Sequence, residues 1–198
     1  EEIQALSEQM SDLKITRIGN RDYYTGSFKG HKVVMVVSGW GKVAAAATIA
    51  TLVNVFGIKE VIFTGVAGGI HPDLKIGDVV IASRLIQHDL DARPMIPRYH
   101  IPLLGKAYCE VKQERVIAAE LAATAALSEI KETNSHVLRE FKCEPRVFVG
   151  DIASGDQFFA TEEAKKGLLS DLPNTLCVEM EGAAVAQVCE EYSIPYTV

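Results

Sequence analysis

The chain has 198 residues, 48% of them hydrophobic and 23% charged, and 20 basic against 26 acidic side chains give a formal net charge of −6. This is the composition of one folded domain with a sizeable core, and it excludes a disordered chain. The apolar runs at residues 33–37 and 61–66 are strand-length, far short of the roughly 20 residues that cross a bilayer. No Lys/Arg stripe is present to neutralise a phosphate backbone, so neither a membrane nor a nucleic acid is expected as partner.

In chain order, Ile3, Leu6, Met10 and Leu13 recur at spacings of three and four, which predicts an amphipathic helix over residues 1–13. The sequence opens on Glu1-Glu2 and runs directly into that pattern, as a chain cut after a first strand would. Residues 23–28 and 32–37 read as strands joined by a hairpin at Lys29-Gly30-His31. Ser38-Gly39-Trp40-Gly41 then releases the chain into a helix whose buried stripe is Ile49, Leu52, Val53 and Phe56, with Gly57 as its C-terminal stop. Residues 60–64 form a short β-branched strand, and residues 77–83 and 84–88 read as two more. Residues 91–105 hold Pro94, Pro97 and Pro102 and are expected to form a long loop of the kind that carries function. A helix over 111–130, a strand over 145–153, a helix over 162–169, a strand over 175–178, a helix over 182–192 and a strand beginning at 194 complete the series.

Alternating strands and helices predict a single α/β domain over residues 1–198, with a mixed central sheet covered on both faces. The four cysteines, Cys109, Cys143, Cys177 and Cys189, form no CxxC pair. Reduced, mostly buried thiols of a cytoplasmic protein are therefore expected, without a zinc or redox site.

Ligands of such sheets sit beyond the carboxyl ends of the strands. Four segments fall just after predicted strands: residues 38–41, 65–69, 154–158 and 179–181. The glycines of Thr64-Gly65-Val66-Ala67-Gly68-Gly69 allow backbone amides to approach a ligand, although the segment is neither a dinucleotide fingerprint nor a phosphate loop. In Val178-Glu179-Met180-Glu181-Gly182 two carboxylates stand between an apolar strand and an apolar helix. Burying a carboxylate is costly unless partners satisfy it, and a carboxylate held at a strand end suits the vicinal diol of a ribose. Phe158, in Ser154-Gly155-Asp156-Gln157-Phe158-Phe159, offers a face for a flat base; its alternative is a core position. Lys42 reads as a solvated residue at a helix start. His88-Asp89-Leu90-Asp91 lacks further ligands at metal-site spacing, and no GxSxG elbow supports a serine triad.

Together, Glu1-Glu2-Ile3, residues 38–45, residues 64–69, Ser154-Gly155-Asp156-Gln157-Phe158 and residues 178–183 resemble, in family order, the 5′-methylthioadenosine/S-adenosylhomocysteine nucleosidases of the purine nucleoside phosphorylase-like superfamily. The resemblance implies a three-layer α/β/α fold with a central mixed sheet, nucleoside phosphorylase-like. It also implies hydrolysis of the N-glycosidic bond of methylthioadenosine, S-adenosylhomocysteine or 6-amino-deoxyfutalosine to release adenine, with no cofactor or metal. A cytoplasmic homodimer with a shared 5′ pocket and a role in methionine salvage follow from the same resemblance.

Residue by residue, the resemblance makes Glu2 and Glu181 the catalytic carboxylates, Glu2 handling the attacking water and Glu181 holding the ribose hydroxyls. Met180 packs on the sugar beside Glu179 and Val178, Phe158 stacks on adenine, and backbone around Phe159 reads its edge. Val66, Ala67 and Gly68 line the base–ribose junction, with Val66 where some members have serine. Trp40 takes the place of a smaller aliphatic residue facing the 5′ substituent. The family's proton donor is an aspartate in a Ser-Asp pair after the strand begun at Ile194, so this chain is expected to lack that residue, a first strand and a C-terminal strand and helix. The competing readings are a phosphate-dependent nucleoside phosphorylase and a non-catalytic adenine-nucleoside-binding protein.

Overall fold

The computed structural model describes residues 3–133 and 143–198. A single-turn helix α1 (Gln4–Ser7) leads into an antiparallel sheet of β1 (Ser11–Ile18), β2 (Arg21–Phe28) and β3 (His31–Met35). The helix predicted over 1–13 is thus overturned beyond its first turn, because Leu13 stands on β1. The reason lies downstream: Gly19, at φ 58°, turns the chain so that Ile18 pairs with Arg21. The ladder this starts along β2 outweighs one isolated helical turn, which is marginal by itself. The predicted hairpin between β2 and β3 forms through Lys29 and Gly30, both at positive φ (48° and 82°), with Phe28 opposite His31. Positive φ at both turn positions matches the twist of the flanking strands.

The next element is α2 (Lys42–Phe56), which buries Ala45, Thr48, Ile49 and Leu52. It ends at Gly57 in the left-handed region (φ 61°), whose N–H reaches the Val53 carbonyl at 3.1 Å. The chain then lays down β4 (Val61–Ile62), β5 (Gly68–Gly69), β6 (Val79–Gln87), β7 (Tyr108–Glu110), α3 (Gln113–Thr133), β8 (Val147–Ser154), α4 (Glu162–Asp171), β9 (Thr175–Glu179), α5 (Gly182–Glu191) and β10 (Tyr196–Thr197).

The main sheet has the order β5-β9-β8-β6-β7. β6, β8 and β9 run parallel, and β5 and β7 join antiparallel at the two edges, so the sheet is mixed. β4 and β10 pair in parallel, and Ala82 of β6 donates its N–H to the Val198 carbonyl at 3.0 Å, linking this pair to the main sheet. The two strands predicted over 77–83 and 84–88 are one. Its register steps from Ala82↔Gly150 to Arg84↔Asp151 across a bulge at Ser83, whose carbonyl accepts the Val111 N–H at 2.9 Å.

Successive residues of a strand face opposite sides, and both sides of this sheet are buried. Leu85, Ile152 and Cys177 join one core cluster with Ala45 and Ile49 of α2 and Val185 and Cys189 of α5. Ile86, Ala153 and Val178 join a second with Leu168 of α4 and Leu172. Helices thus cover a central mixed sheet on both faces, a three-layer α/β/α arrangement. Across the sheet, Arg84 grips the buried Asp151 through two bonds of 2.9 and 2.5 Å and lies over the Tyr108 ring at 4.4 Å. Cys109, Cys177 and Cys189 are buried free thiols, each pushed up to about 12 by burial and so inert.

Candidate active site

The parallel strands end in one row: Gln87 pairs with Ser154, and Ser154 with Glu179. Everything that follows these three residues therefore leaves from the same edge.

Glu179 anchors the edge. Its Oε2 accepts the N–H groups of Glu181 at 2.8 Å and Gly182 at 2.7 Å, which are among the orphan donors that open α5. Its Oε1 takes the Ser154 hydroxyl, whose oxygen in turn accepts the Ala183 N–H at 2.7 Å. Burial raises the Glu179 carboxyl above its ordinary range; the serine and the two amides pull the other way without cancelling it. This carboxylate binds its own chain and fixes the turn on which Met180 and Glu181 sit.

Glu181 stands immediately before α5, and its Oε1 accepts the Gly41 N–H at 2.6 Å. Among the described residues no hydrogen bond reaches its Oε2. The Gly41 loop is itself held from below: Arg21 donates to the carbonyls of Ser38 at 3.0 Å and Ala44 at 3.2 Å. Gly39 and Gly41 both adopt positive φ (81° and 89°), a conformation that strains other residues.

Lys42 is not the solvated helix-start residue expected. Its ammonium donates to Asp89 at 2.7 Å and Gln87 at 3.1 Å, while its backbone N–H donates to Asp156 at 2.8 Å. Asp89 accepts the Asp156 N–H at 2.9 Å. Burial works against ionisation of Asp89, yet Lys42 and that amide outweigh it and hold the carboxyl below its ordinary range. His88 is 5% exposed, its Nε2 has no hydrogen-bond partner, and its ring meets the edge of Phe159 at 5.0 Å. Burial is the main reason its pKa is lowered, and Lys42 and Arg98 add to the effect against Asp89.

The other predicted positions are distributed as follows. Trp40, Val66 and Phe158 are 90%, 87% and 83% exposed, with Ala67 and Gly68 also exposed. Gly68 pairs with Val178, which brings the 65–69 turn beside the Glu179 turn. The Val178 side chain is buried in the second core cluster, so only its backbone borders the site. Phe159 and Met180 are half-buried. Glu2 lies outside the described residues. The described contacts thus join all four expected segments. They also add Gln87, whose one sequence signal is its place at a strand end, and give Lys42, Asp89, Ser154 and Asp156, which stand in segments already marked, hydrogen-bonding roles the sequence did not show. Among the described residues no group of three or more His, Cys, Asp or Glu could hold a metal.

A mixed sheet covered on both faces carries small-residue loops and a fixed carboxylate along one edge, the place where α/β sheets bind ligands. The family model described as "Phosphorylase superfamily" matches residues 1–198, and the chain belongs to that superfamily. Within it, the chain is 34% identical over 198 residues to a 5′-methylthioadenosine/S-adenosylhomocysteine nucleosidase of Anoxybacillus flavithermus, covering 100% of this chain and 78% of the relative. It is 33% identical over 195 residues to an aminodeoxyfutalosine nucleosidase of Campylobacter jejuni, covering 98% and 77%. The crystal structure of the Neisseria meningitidis 5′-methylthioadenosine/S-adenosylhomocysteine nucleosidase with methylthio-immucillin-A superposes with a TM-score of 0.83 at 31% identity, over 99% of this chain and 78% of that one.

Proposed function

We propose that this protein hydrolyses the N-glycosidic bond of 5′-substituted adenine nucleosides, releasing adenine. Methylthioadenosine, S-adenosylhomocysteine and aminodeoxyfutalosine are the substrates that its relatives' names point to. The observation that carries the reading is Glu181: one carboxylate oxygen is fixed by Gly41 and the other is open at the strand edge where a ribose diol would lie.

Cleavage passes through an oxocarbenium-like sugar, and each protein group has a task in that passage. Glu181 holds the ribose hydroxyls in a reactive geometry, a positioning effect that lowers the barrier. Phe158 stacks on adenine, with the backbone of Phe159 at the base edge; Met180 packs on the sugar. Glu2 takes a proton from the attacking water, acid–base help of typically ~10²–10⁴-fold. Val66, Ala67 and Gly68 lie under the glycosidic bond, and Trp40 faces the 5′ substituent. The family resemblance gives protonation of adenine N7 to an aspartate, and residues 194–198 carry no carboxylate, so that step is assigned to none of them. We assign the protein to the cytoplasm as a homodimer that shares its 5′ pocket in methionine salvage; the three inert thiols fit that compartment.

A phosphorolytic reaction needs basic groups free to take phosphate. Lys42 is engaged by Asp89 and Gln87, and the Arg21 guanidinium by two carbonyls, which favours water as the acceptor. The test is methylthioadenosine given to the intact natural protein in phosphate-free buffer, with adenine followed by chromatography. Adenine and free methylthioribose, at a rate indifferent to added phosphate, are expected. Turnover only with phosphate would move the protein to the phosphorylases, and binding without turnover would make it a nucleoside-binding protein.

A further inference from the structure

Three segments far apart in the chain close into a ring of hydrogen bonds at the site's edge. The Lys42 ammonium donates to Asp89 Oδ1 at 2.7 Å, Asp89 Oδ2 accepts the Asp156 N–H at 2.9 Å, and Asp156 Oδ1 accepts the Lys42 N–H at 2.8 Å. The three links start and end at Lys42. The Lys42 and Asp89 side chains are only 19% and 26% exposed, which lifts this ion pair above the nearly worthless class of fully solvated pairs.

The ring's effect falls on one peptide. No acidic residue stands in the first turn of α2, so the Asp156 carboxylate supplies from across the site the negative charge that a helix N-terminus favours. It also packs on Gly41: a Cβ placed there would lie 2.8 Å from Asp156 Oδ1. Gly41 is the residue whose N–H holds Glu181 at 2.6 Å.

We infer that Lys42, Asp89 and Asp156 are positioning residues for the ribose contact, acting through the Gly41 amide on the Glu181 carboxylate. This rests on the reading of Glu181 given above. None of the three touches substrate; they set where the Glu181 carboxylate stands.

The test separates this role from plain stabilisation. The probe is a 5′-methylthio-7-deazaadenine nucleoside, which offers no N7 to protonate, and free adenine is the control ligand. Asp89→Asn, Asp156→Asn and Lys42→Met should each weaken the nucleoside roughly tenfold while adenine affinity stays within about twofold, since the base contacts are untouched. In a Glu181→Gln background the same changes should add no further loss, because coupled residues are non-additive. Lys42→Arg, which keeps the charge, should recover part of the affinity that Lys42→Met loses. Equal losses for adenine and nucleoside, or losses that simply add to that of Glu181→Gln, would overturn the inference. Should an aspartate variant fail to fold, Lys42→Met preserves the backbone N–H to Asp156 and carries the test. If Glu181→Gln alone leaves nucleoside affinity unchanged, the ribose reading itself fails. Silent ring variants beside an impaired Glu181→Gln would remove only the inference.

Discussion

Gly41 and Glu181, 140 residues apart in sequence, meet through a backbone N–H and a carboxylate oxygen at 2.6 Å. One oxygen of the glutamate is thereby fixed. Glu181→Gln keeps an acceptor for Gly41 but removes the charge that strengthens hydrogen bonds to a diol. Each such bond is worth about 1.5–3 kcal/mol, so kcat/KM for adenine release should fall about 10²-fold or more with little change in thermal midpoint. Steady-state rates equal to wild type would remove Glu181 from the site.

Ser154 is completely buried and serves two partners, the Glu179 carboxylate and the Ala183 N–H. Ser154→Ala leaves both without it, and an unsatisfied buried group costs about 1–3 kcal/mol. Urea unfolding should show that loss, and activity should fall with it because the Glu181 turn hangs on the same network. A midpoint unchanged within error would mean that the helix start is held by something else.

Gly155 is required by its neighbours. A Cβ there would sit 2.4 Å from His88 Cε1 and Nε2 and 2.9 Å from Asp89 Cγ. Gly155→Ala must therefore displace the loop that carries Phe158, and adenine affinity, read by calorimetry, should drop. Gly167→Ala is the contrasting case. It lies within α4 with nothing near the added methyl, so it should stabilise the protein by about 0.5–1 kcal/mol.

Acid should weaken the fold through His88. Its folded-state pKa lies below the ordinary 6.5, so on descending from pH 8 the unfolded chain takes up the proton first. Stability is then lost as pH falls below about 6.5 and continues to fall until the folded-state value is passed. Asp89, also depressed, adds a separate loss only below its ordinary 3.8. Glu179 runs the opposite way: its raised pKa gives stability below 4.5 that is lost as pH rises through the folded value. The His88 contribution is the difference between the two proteins: from pH 8 to 5 the wild type should lose unfolding free energy relative to His88→Gln. An unchanged slope in the variant would move the effect to another group.

Trp40 is 90% exposed, so Trp40→Ile should alter stability by no more than about 0.5 kcal/mol. The reading of its role predicts a different consequence for specificity. The kcat/KM ratio of S-adenosylhomocysteine over methylthioadenosine should rise as room for the larger 5′ group increases. A constant ratio would separate Trp40 from the 5′ pocket.

Local chemistry made parts of the molecule readable in advance. Gly57 ends α2, Lys29-Gly30 turns a hairpin, and the four candidate segments follow strands as expected. Periodicity misled where pairing decided: Leu13 fits a helical stripe as well as a strand, and only β2, folded back by Gly19, selects the strand. The break expected at Ser83 is a bulge, which shifts register without ending a strand. Asp89 and Asp156 stood in segments the sequence marks, but their partnership with Lys42 did not show, because a carboxylate such as Asp156 that caps a helix 114 residues away leaves no pattern near that helix. His88 and Gly155 are legible only together, since the missing side chain of one is the space occupied by the other.

The pairing of β4 with β10 joins two segments far apart in the chain, which bears on how this protein folds as it is made. Among the described residues, Val61 and Ile62 pair with Tyr196 and Thr197, and the Ala82 N–H reaches the Val198 carbonyl. The two glycine-rich candidate loops flank the first of these segments, so residues 61 to 198 must all have emerged before that neighbourhood of the sheet closes. Until then an unpaired strand and buried-type side chains such as Val61 stand open, the features that make partly synthesised chains prone to aggregation and dependent on chaperones.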